Sequence, residues 1–144
     1  METAPLPLTI VIVDDNPVDV QLIHWVLDAH QLSYVLQVID NGAQALAVVD
    51  QLAQQEHLRS PPIILLDLKL PQRDGKEILR HLKAIPHGSD IRVVIVTGSA
   101  DPRERAETLA LGADGYFVKP FQLTPFMQLG DLIKHVAFGE PSPN

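Results

Sequence analysis

Residues 63–71 read Ile63-Ile-Leu-Leu66-Asp67-Leu-Lys-Leu-Pro71. Four consecutive branched apolar residues, preceded by Pro61-Pro62 and closed by an acid, are too few for a helix. They show none of the polar alternation of a half-exposed strand, which leaves a strand covered on both faces. Working outward, the same signature recurs. Leu8-Thr-Ile-Val-Ile-Val13 is a second such run, and Ile91 to Val96 a third. Tyr34 to Ile39, ended by Asp40-Asn41-Gly42, is more mixed because of Gln37 and suits an edge. Gly115 to Val118 is a short final strand.

Helical periodicity fills the intervals. Asn16-Pro17 is an N-cap followed by a proline at the first helical position, and Leu22, Ile23, Val26 and Leu27 carry a stripe to about His30. Residues 43–56 form a second helix through Ala45, Leu46, Val49 and Leu52. Ile78, Leu79, Leu82 and Ile85 mark a third between Gly75 and Pro86. Asp101-Pro102 opens a fourth, with Gly112 placed to end it. Thr124-Pro125 opens a last helix running to about Phe138, with Met127, Leu132, Ile133 and Val136 inward. Strands alternating with helices predict right-handed βαβ units. The fold class is therefore α/β: a doubly wound, five-stranded parallel sheet of order 2-1-3-4-5, the flavodoxin-like arrangement. The predicted domain covers 8–138, with loose tails at 1–7 and 139–144.

Composition supports one ordinary domain. A chain of 144 residues buries roughly 68–70% of its unfolded surface and needs no staple. Apolar residues make up 46% and charged residues 20%, as in globular proteins. The absence of cysteine removes disulfides, thiolate metal sites and thiol catalysis. A formal charge of −7 argues against a chain built to grip nucleic acid. No apolar run approaches the ~20 residues needed to cross a bilayer, and the N-terminal residues show no secretory pattern. The expectation is a cytoplasmic protein with neither a nucleic-acid nor a membrane partner.

In an open α/β sheet, ligands lie beyond the carboxyl ends of the strands. There the sequence places Asp14-Asp15, then Asp67, then Thr97-Gly-Ser99, then Lys119-Pro120. Two carboxylates ~4 Å apart repel by about 4 kcal/mol at an effective dielectric near 20. Three cannot all stay ionised without a counter-charge. Lys119 supplies one positive charge, and a divalent cation supplies two; hard oxygen ligands favour Mg²⁺. The plainer account, that each acid merely caps a helix or forms a turn, suits any one of them better than all three together with Lys119. Carboxylate, metal, hydroxyl and lysine together form a phosphoryl-transfer constellation, with Asp67 as nucleophile because it stands alone at the end of the central strand.

The set Asp14-Asp15, Asp67, Thr97 and Lys119-Pro120, with Leu68-Lys-Leu-Pro71 and Asp74-Gly75 after the acceptor, resembles the receiver domain of two-component response regulators over about residues 8–138. The resemblance implies that Asp67 accepts phosphate from a sensor histidine kinase. It implies that Asp15, Asp67 and the Lys69 carbonyl bind Mg²⁺ directly, and that Asp14 acts largely through a bound water. It implies that Thr97 bonds the phosphoryl group, that Tyr116 follows it inward, and that the Lys119–Pro120 peptide is cis. With no output domain recognisable after residue 138, the chain resembles a stand-alone receiver that catalyses only its own phosphorylation and dephosphorylation. The segment Gln54 to Pro62 and the opening Asp14-Asp-Asn-Pro-Val-Asp19 are similar to receivers paired with phytochrome-type kinases.

Several features stay open to more than one reading. The Lys69 ammonium either leans over the phosphoryl group or is solvated. Histidines 24, 30, 57, 81, 87 and 135 lack metal-ligand spacing and suit the surface or helix flanks. Trp25, one position off its helix's stripe, is expected to be partly buried. Phe117, Phe121, Phe126, Met127 and Phe138 either pack the core or form a homodimer patch on helix 4, strand 5 and the last helix (helix 5). A magnesium-dependent phosphatase would want an acid where Lys69 stands, and an FMN carrier would want hydroxyls rather than carboxylates after the first strand.

Overall fold

The computed structural model describes residues 7–54 and 61–139. Most of both expected tails, and residues 55–60 of the segment before the third strand, lie outside the described residues. Five strands, β1 (Leu8–Val13), β2 (Tyr34–Ile39), β3 (Ile63–Leu66), β4 (Arg92–Thr97) and β5 (Gly115–Val118), form one sheet in the order β2-β1-β3-β4-β5. Every pairing is parallel. The fold class and order are those expected, with β2 on an edge.

The helices are α1 (Pro17–Ala29), α2 (Gly42–Gln54), α3 (Gly75–Ala84), α4 (Pro102–Ala110), α5 (Leu123–Phe126) and α6 (Gln128–Phe138), with a 3₁₀ turn at Gly88–Asp90. The starts of α1 and α4 follow the sequence: Asn16 and Asp101 cap with their side-chain oxygens and a proline follows each. Successive residues of each strand point to opposite faces, so the central strands feed two cores. Val11, Val13, Ile64, Leu66, Val93 and Ile95 pack with α2 and α3. Ile10, Ile12, Ile63, Leu65, Val94 and Val96 pack with α1, α5 and α6. Of the aromatic residues whose role was open, Phe126 is buried, and Phe117 stands edge-on to it at 5.7 Å between ring centroids. Phe121 and Phe138 are exposed.

The last helix departs from expectation. It begins after Gln122 rather than Thr124, and it is interrupted at Met127. The cause is a residue from another element. The His30 ring at the end of α1 lies where a Cβ on Gly130 would stand, 2.0 Å from the nearest ring atom, and its Nε2 donates to the Met127 carbonyl at 2.9 Å. That carbonyl is also bonded by the Gly130 N–H, in the tighter i→i−3 pattern. A side chain entering the helical ladder in this way opens it. Trp25 is half exposed, in keeping with the partial burial expected, because the apolar side of α1 is filled by Ile23, Val26 and Leu27.

Candidate functional site

Backbone hydrogen bonds carry the ladders one residue past the strand ends and place the site residues individually. Asp14 N–H donates to the Ile39 carbonyl (2.9 Å), Asp67 N–H to Val13 (2.9 Å) and Lys119 N–H to Thr97 (2.8 Å). Gly75, which opens α3, lies against the backbone just beyond β3: a Cβ there would stand 2.3 Å from the Asp67 carbonyl oxygen. Only glycine permits that approach, so the Asp74-Gly75 pair seats α3 against the backbone of Asp67.

The side chains then converge. Lys119 Nζ lies 2.8 Å from Asp67 Oδ2, 2.9 Å from Asp14 Oδ2 and 2.7 Å from Asp19 Oδ2. Asp14 and Asp67 are buried, whereas Asp15 is exposed. Asp14 Oδ1 accepts the Asn16 N–H (2.9 Å), and Asp67 Oδ1 accepts the Lys69 N–H (3.2 Å). Burial pushes the Asp14 carboxyl above the usual carboxylate range, and the Asp67 charge adds to this, outweighing Lys119 and the Asn16 amide. Lys119 shifts upward too: burial works against its charge, but the hydrogen bonds it donates to Asp19, Asp67 and Asp14 prevail.

Asp14, Asp15 and Asp67 each offer a carboxylate oxygen, all within 4.8 Å of one another. Set against the single charge of Lys119, this hard-oxygen group fits a divalent cation of the Mg²⁺ type. Thr97 is fully buried at the end of β4, and its Oγ1 has no hydrogen-bond partner among the described residues. A buried hydroxyl left so is costly unless it serves a partner. Tyr116 is already inward: its hydroxyl donates to the Ser99 carbonyl at 2.8 Å, and the Arg105 guanidinium lies 5.7 Å from its ring centroid. Ser99 Oγ in turn donates to Glu104 of α4 at 2.5 Å. The loop after Thr97 is thereby tied to both β5 and α4. The side chain of Lys69 is exposed.

One expectation is corrected. No cis peptide bond occurs among the described residues, so the Lys119–Pro120 bond is trans. Trans is favoured by about 0.5–1 kcal/mol even before proline, and the long lysine stem reaches three carboxylates from the end of β5 without the turn. The sequence reading also missed Asp19 as a member of the site. The third residue of α1's first turn faces back over the helix start, but an acid there is ordinary and nothing local marks this contact.

A parallel sheet with this acid–lysine cluster at its carboxyl edge, and a buried threonine one strand away, defines a phosphoryl-handling α/β domain. The profile of the response regulator receiver domain matches residues 10–129, and the chain belongs to that family. The chain is 32% identical to the response regulator Rcp1 of Synechocystis over 130 residues, 90% of this chain and 84% of Rcp1. It superposes on the phosphorylated cyanobacterial phytochrome response regulator RcpA with a TM-score of 0.79 at 26% identity, over 96% of this chain and all of that one. It superposes on the Mn²⁺-bound form of Rcp1 with a TM-score of 0.77 at 29% identity and the same coverage. Other curated relatives, transcriptional regulatory proteins, are longer, and this chain spans less than half of their length. No helix among the described residues is long and apolar enough to cross a membrane.

Proposed function

We propose that this chain accepts a phosphoryl group on Asp67 from a sensor histidine kinase, in a reaction that requires Mg²⁺. A lone pair on an Asp67 carboxylate oxygen attacks phosphorus, the P–N bond of the phosphohistidine breaks, and the imidazole nitrogen keeps the electron pair. The product is an aspartyl phosphate. Asp14, Asp15, Asp67 and the Lys69 carbonyl would hold the cation. When bound, it neutralises charge on the non-bridging phosphoryl oxygens. Lys119 supplies a further positive charge, and Thr97 Oγ1 supplies a hydroxyl donor that has no competing partner among the described residues. The observation that carries this reading is the Asp67 carboxylate, 2.8 Å from Lys119 Nζ and grouped within 4.8 Å with two further acids.

A phosphoryl group shifts the population of two states through its differential contacts, here with Thr97 and Lys119. Movement of Thr97 would pull on Ser99, and through it on Tyr116 and Glu104. The surface of α4, β5 and α5–α6 would then change its affinity for a partner or for a second copy of the chain. Exposed Phe121 and Phe138, which the core does not use, support a homodimer through that face. The likeness to Rcp1 and RcpA supports a phytochrome-type kinase as donor, with the exchange taking place in the cytoplasm.

The test is incubation with Mg²⁺ and a small acyl-phosphate donor, read by intact mass. The expected result is a gain of one phosphoryl group that requires Mg²⁺ and is absent in Asp67→Asn. Uptake that persists in Asp67→Asn overturns the assignment. Light scattering before and after phosphorylation tests the dimer, and a monomer in both states removes it.

A further inference from the structure

Three carboxylates surround the Lys119 ammonium, and they are not equivalent. Asp14 and Asp67 also belong to the group of acids that fits a cation, and Asp67 is the atom source for the acyl phosphate. Asp19 stands outside that group yet makes the shortest contact, 2.7 Å from Lys119 Nζ. Resting on the phosphoacceptor reading above, we propose that Asp19 is a positioning residue for the phosphoryl transfer, the permanent anchor that aims Lys119 at Asp67 and then at the phosphoryl oxygens.

The three partners of Lys119 differ in whether they survive the reaction. Lys119 has three N–H donors. Once Asp67 is converted to the acyl phosphate, its share of negative charge passes to the phosphoryl oxygens, and the N–H that faced Asp67 must follow. Asp14, drawn toward a cation, is a weakened partner for the ammonium. Asp19 is engaged by neither event. Its charge remains available to hold the nitrogen in place while another N–H changes acceptor. A four-carbon stem without such an anchor has many rotamers to choose from, and only a few point into the pocket.

The anchor is itself built into rigid structure. The Asp14 carboxylate accepts the Asn16 N–H, and Asn16 Oδ1 in turn accepts the N–H groups of Val18 (2.9 Å) and Asp19 (3.4 Å). The loop that presents the acidic pair therefore also sets Asp19. Behind it, α1 is fastened by Ile23, Val26 and Leu27, all fully buried. Asp19 thus reports the position of α1 to the strand β5 lysine across the sheet edge.

The experiment measures the rate of phosphoryl uptake from an acyl-phosphate donor with Mg²⁺, by intact mass, in six proteins: wild type, Asp19→Asn, Asp19→Glu, Lys119→Ala, the Asp19→Asn/Lys119→Ala double variant and Asp67→Asn. The expected result is that Asp19→Asn slows uptake by about tenfold, while Asp19→Glu recovers part of the rate. In the Lys119→Ala background the second substitution changes the rate by less than about twofold, because Asp19 acts through the lysine. A wild-type rate in Asp19→Asn overturns the proposal. So does an equal slowing with and without Lys119, which would mean that Asp19 only supports the start of α1. If the wild-type chain takes up no phosphoryl group, the phosphoacceptor reading fails and this inference with it. If Asp67→Asn blocks uptake and Asp19→Asn does not slow it, the inference fails alone.

Discussion

Helices α1 and α4 begin alike and are held differently. Each has a polar cap followed by proline, Asn16-Pro17 in one and Asp101-Pro102 in the other. Helix α1 then drives Ile23, Val26 and Leu27 fully into the core beneath the sheet. Helix α4 buries only Thr108, whose hydroxyl merely returns to the Glu104 and Arg105 carbonyls of its own helix. What fastens α4 is polar: Lys76 of α3 to Glu104 (3.3 Å) and Glu107 (3.1 Å), Arg80 to Glu107 (3.0 Å), and the Ser99–Glu104 bond. Apolar burial is insensitive to small displacements of charge, whereas such bonds can be exchanged one at a time. The helix beside the acidic pair is thus the fixed part. The helix beside Thr97 and Tyr116 is the more loosely held part, fastened by bonds that open at lower cost.

The sharpest way to break this contrast is paired truncation. Leu27→Ala should cost about 3 kcal/mol in denaturant unfolding, whereas Leu109→Ala on the exposed side of α4 should stay within about 0.5 kcal/mol. Equal losses would show that α4 is as firmly packed as α1. A smaller effect concerns the site that α1 supports. Burial holds the Asp14 carboxyl above its ordinary value, so charging it destabilises the folded chain as pH rises through that raised value. Asp14→Asn should therefore raise the melting temperature at pH 7 without metal by about 3 °C and, on the proposed cation site, weaken any rise in melting temperature that added Mg²⁺ produces in the wild type. A lower melting temperature in this variant would mean that the ion pair with Lys119 outweighs desolvation.

The smallest effect tests the polar fastening. The Ser99 hydroxyl, aided by Lys76, holds the Glu104 carboxyl below the usual range. The stability it contributes is present above the ordinary glutamate value of 4.5 and is lost as pH falls through the lowered folded value. Glu104→Gln should cost about 0.5 kcal/mol at pH 7, with the difference from wild type closing in acid. Hydrogen exchange of the α4 amides should accelerate in this variant while that of α1 does not. Uniform acceleration would dissolve the distinction between the two helices.

The acid positions were legible because Asp14-Asp15 and Asp67 directly follow strands, and apolar runs mark strand ends sharply. The residues 63–66, 8–13, 34–39 and 115–118 were readable as strands to the residue. Less legible was the end of the fourth strand. Ile91 reads as part of it but terminates the 3₁₀ turn, and Thr97 instead closes β4. The interruption at Met127 was invisible, since α5 and α6 share one apolar periodicity and the ring that breaks them comes from α1. Asp19 escaped for a related reason: an acid in a first helical turn is so ordinary that nothing local marks it as facing a lysine a hundred residues away.

Periodicity, caps and strand-end chemistry are short-range properties, and the order of residues alone was sufficient to specify them. They settled the α/β class, the strand order, and the meeting of Asp14, Asp15, Asp67, Thr97 and Lys119 at one edge. Packing settled what depends on distances between elements: the trans Lys119–Pro120 peptide, the His30 ring inside the last helix, the inward Tyr116 tied to Ser99, and Asp19 as the third partner of Lys119. The reason is geometric. A side chain's neighbours along its own element follow from the helical or strand repeat, but its neighbours on another element depend on how closely two faces approach, and one-dimensional order carries no such distance.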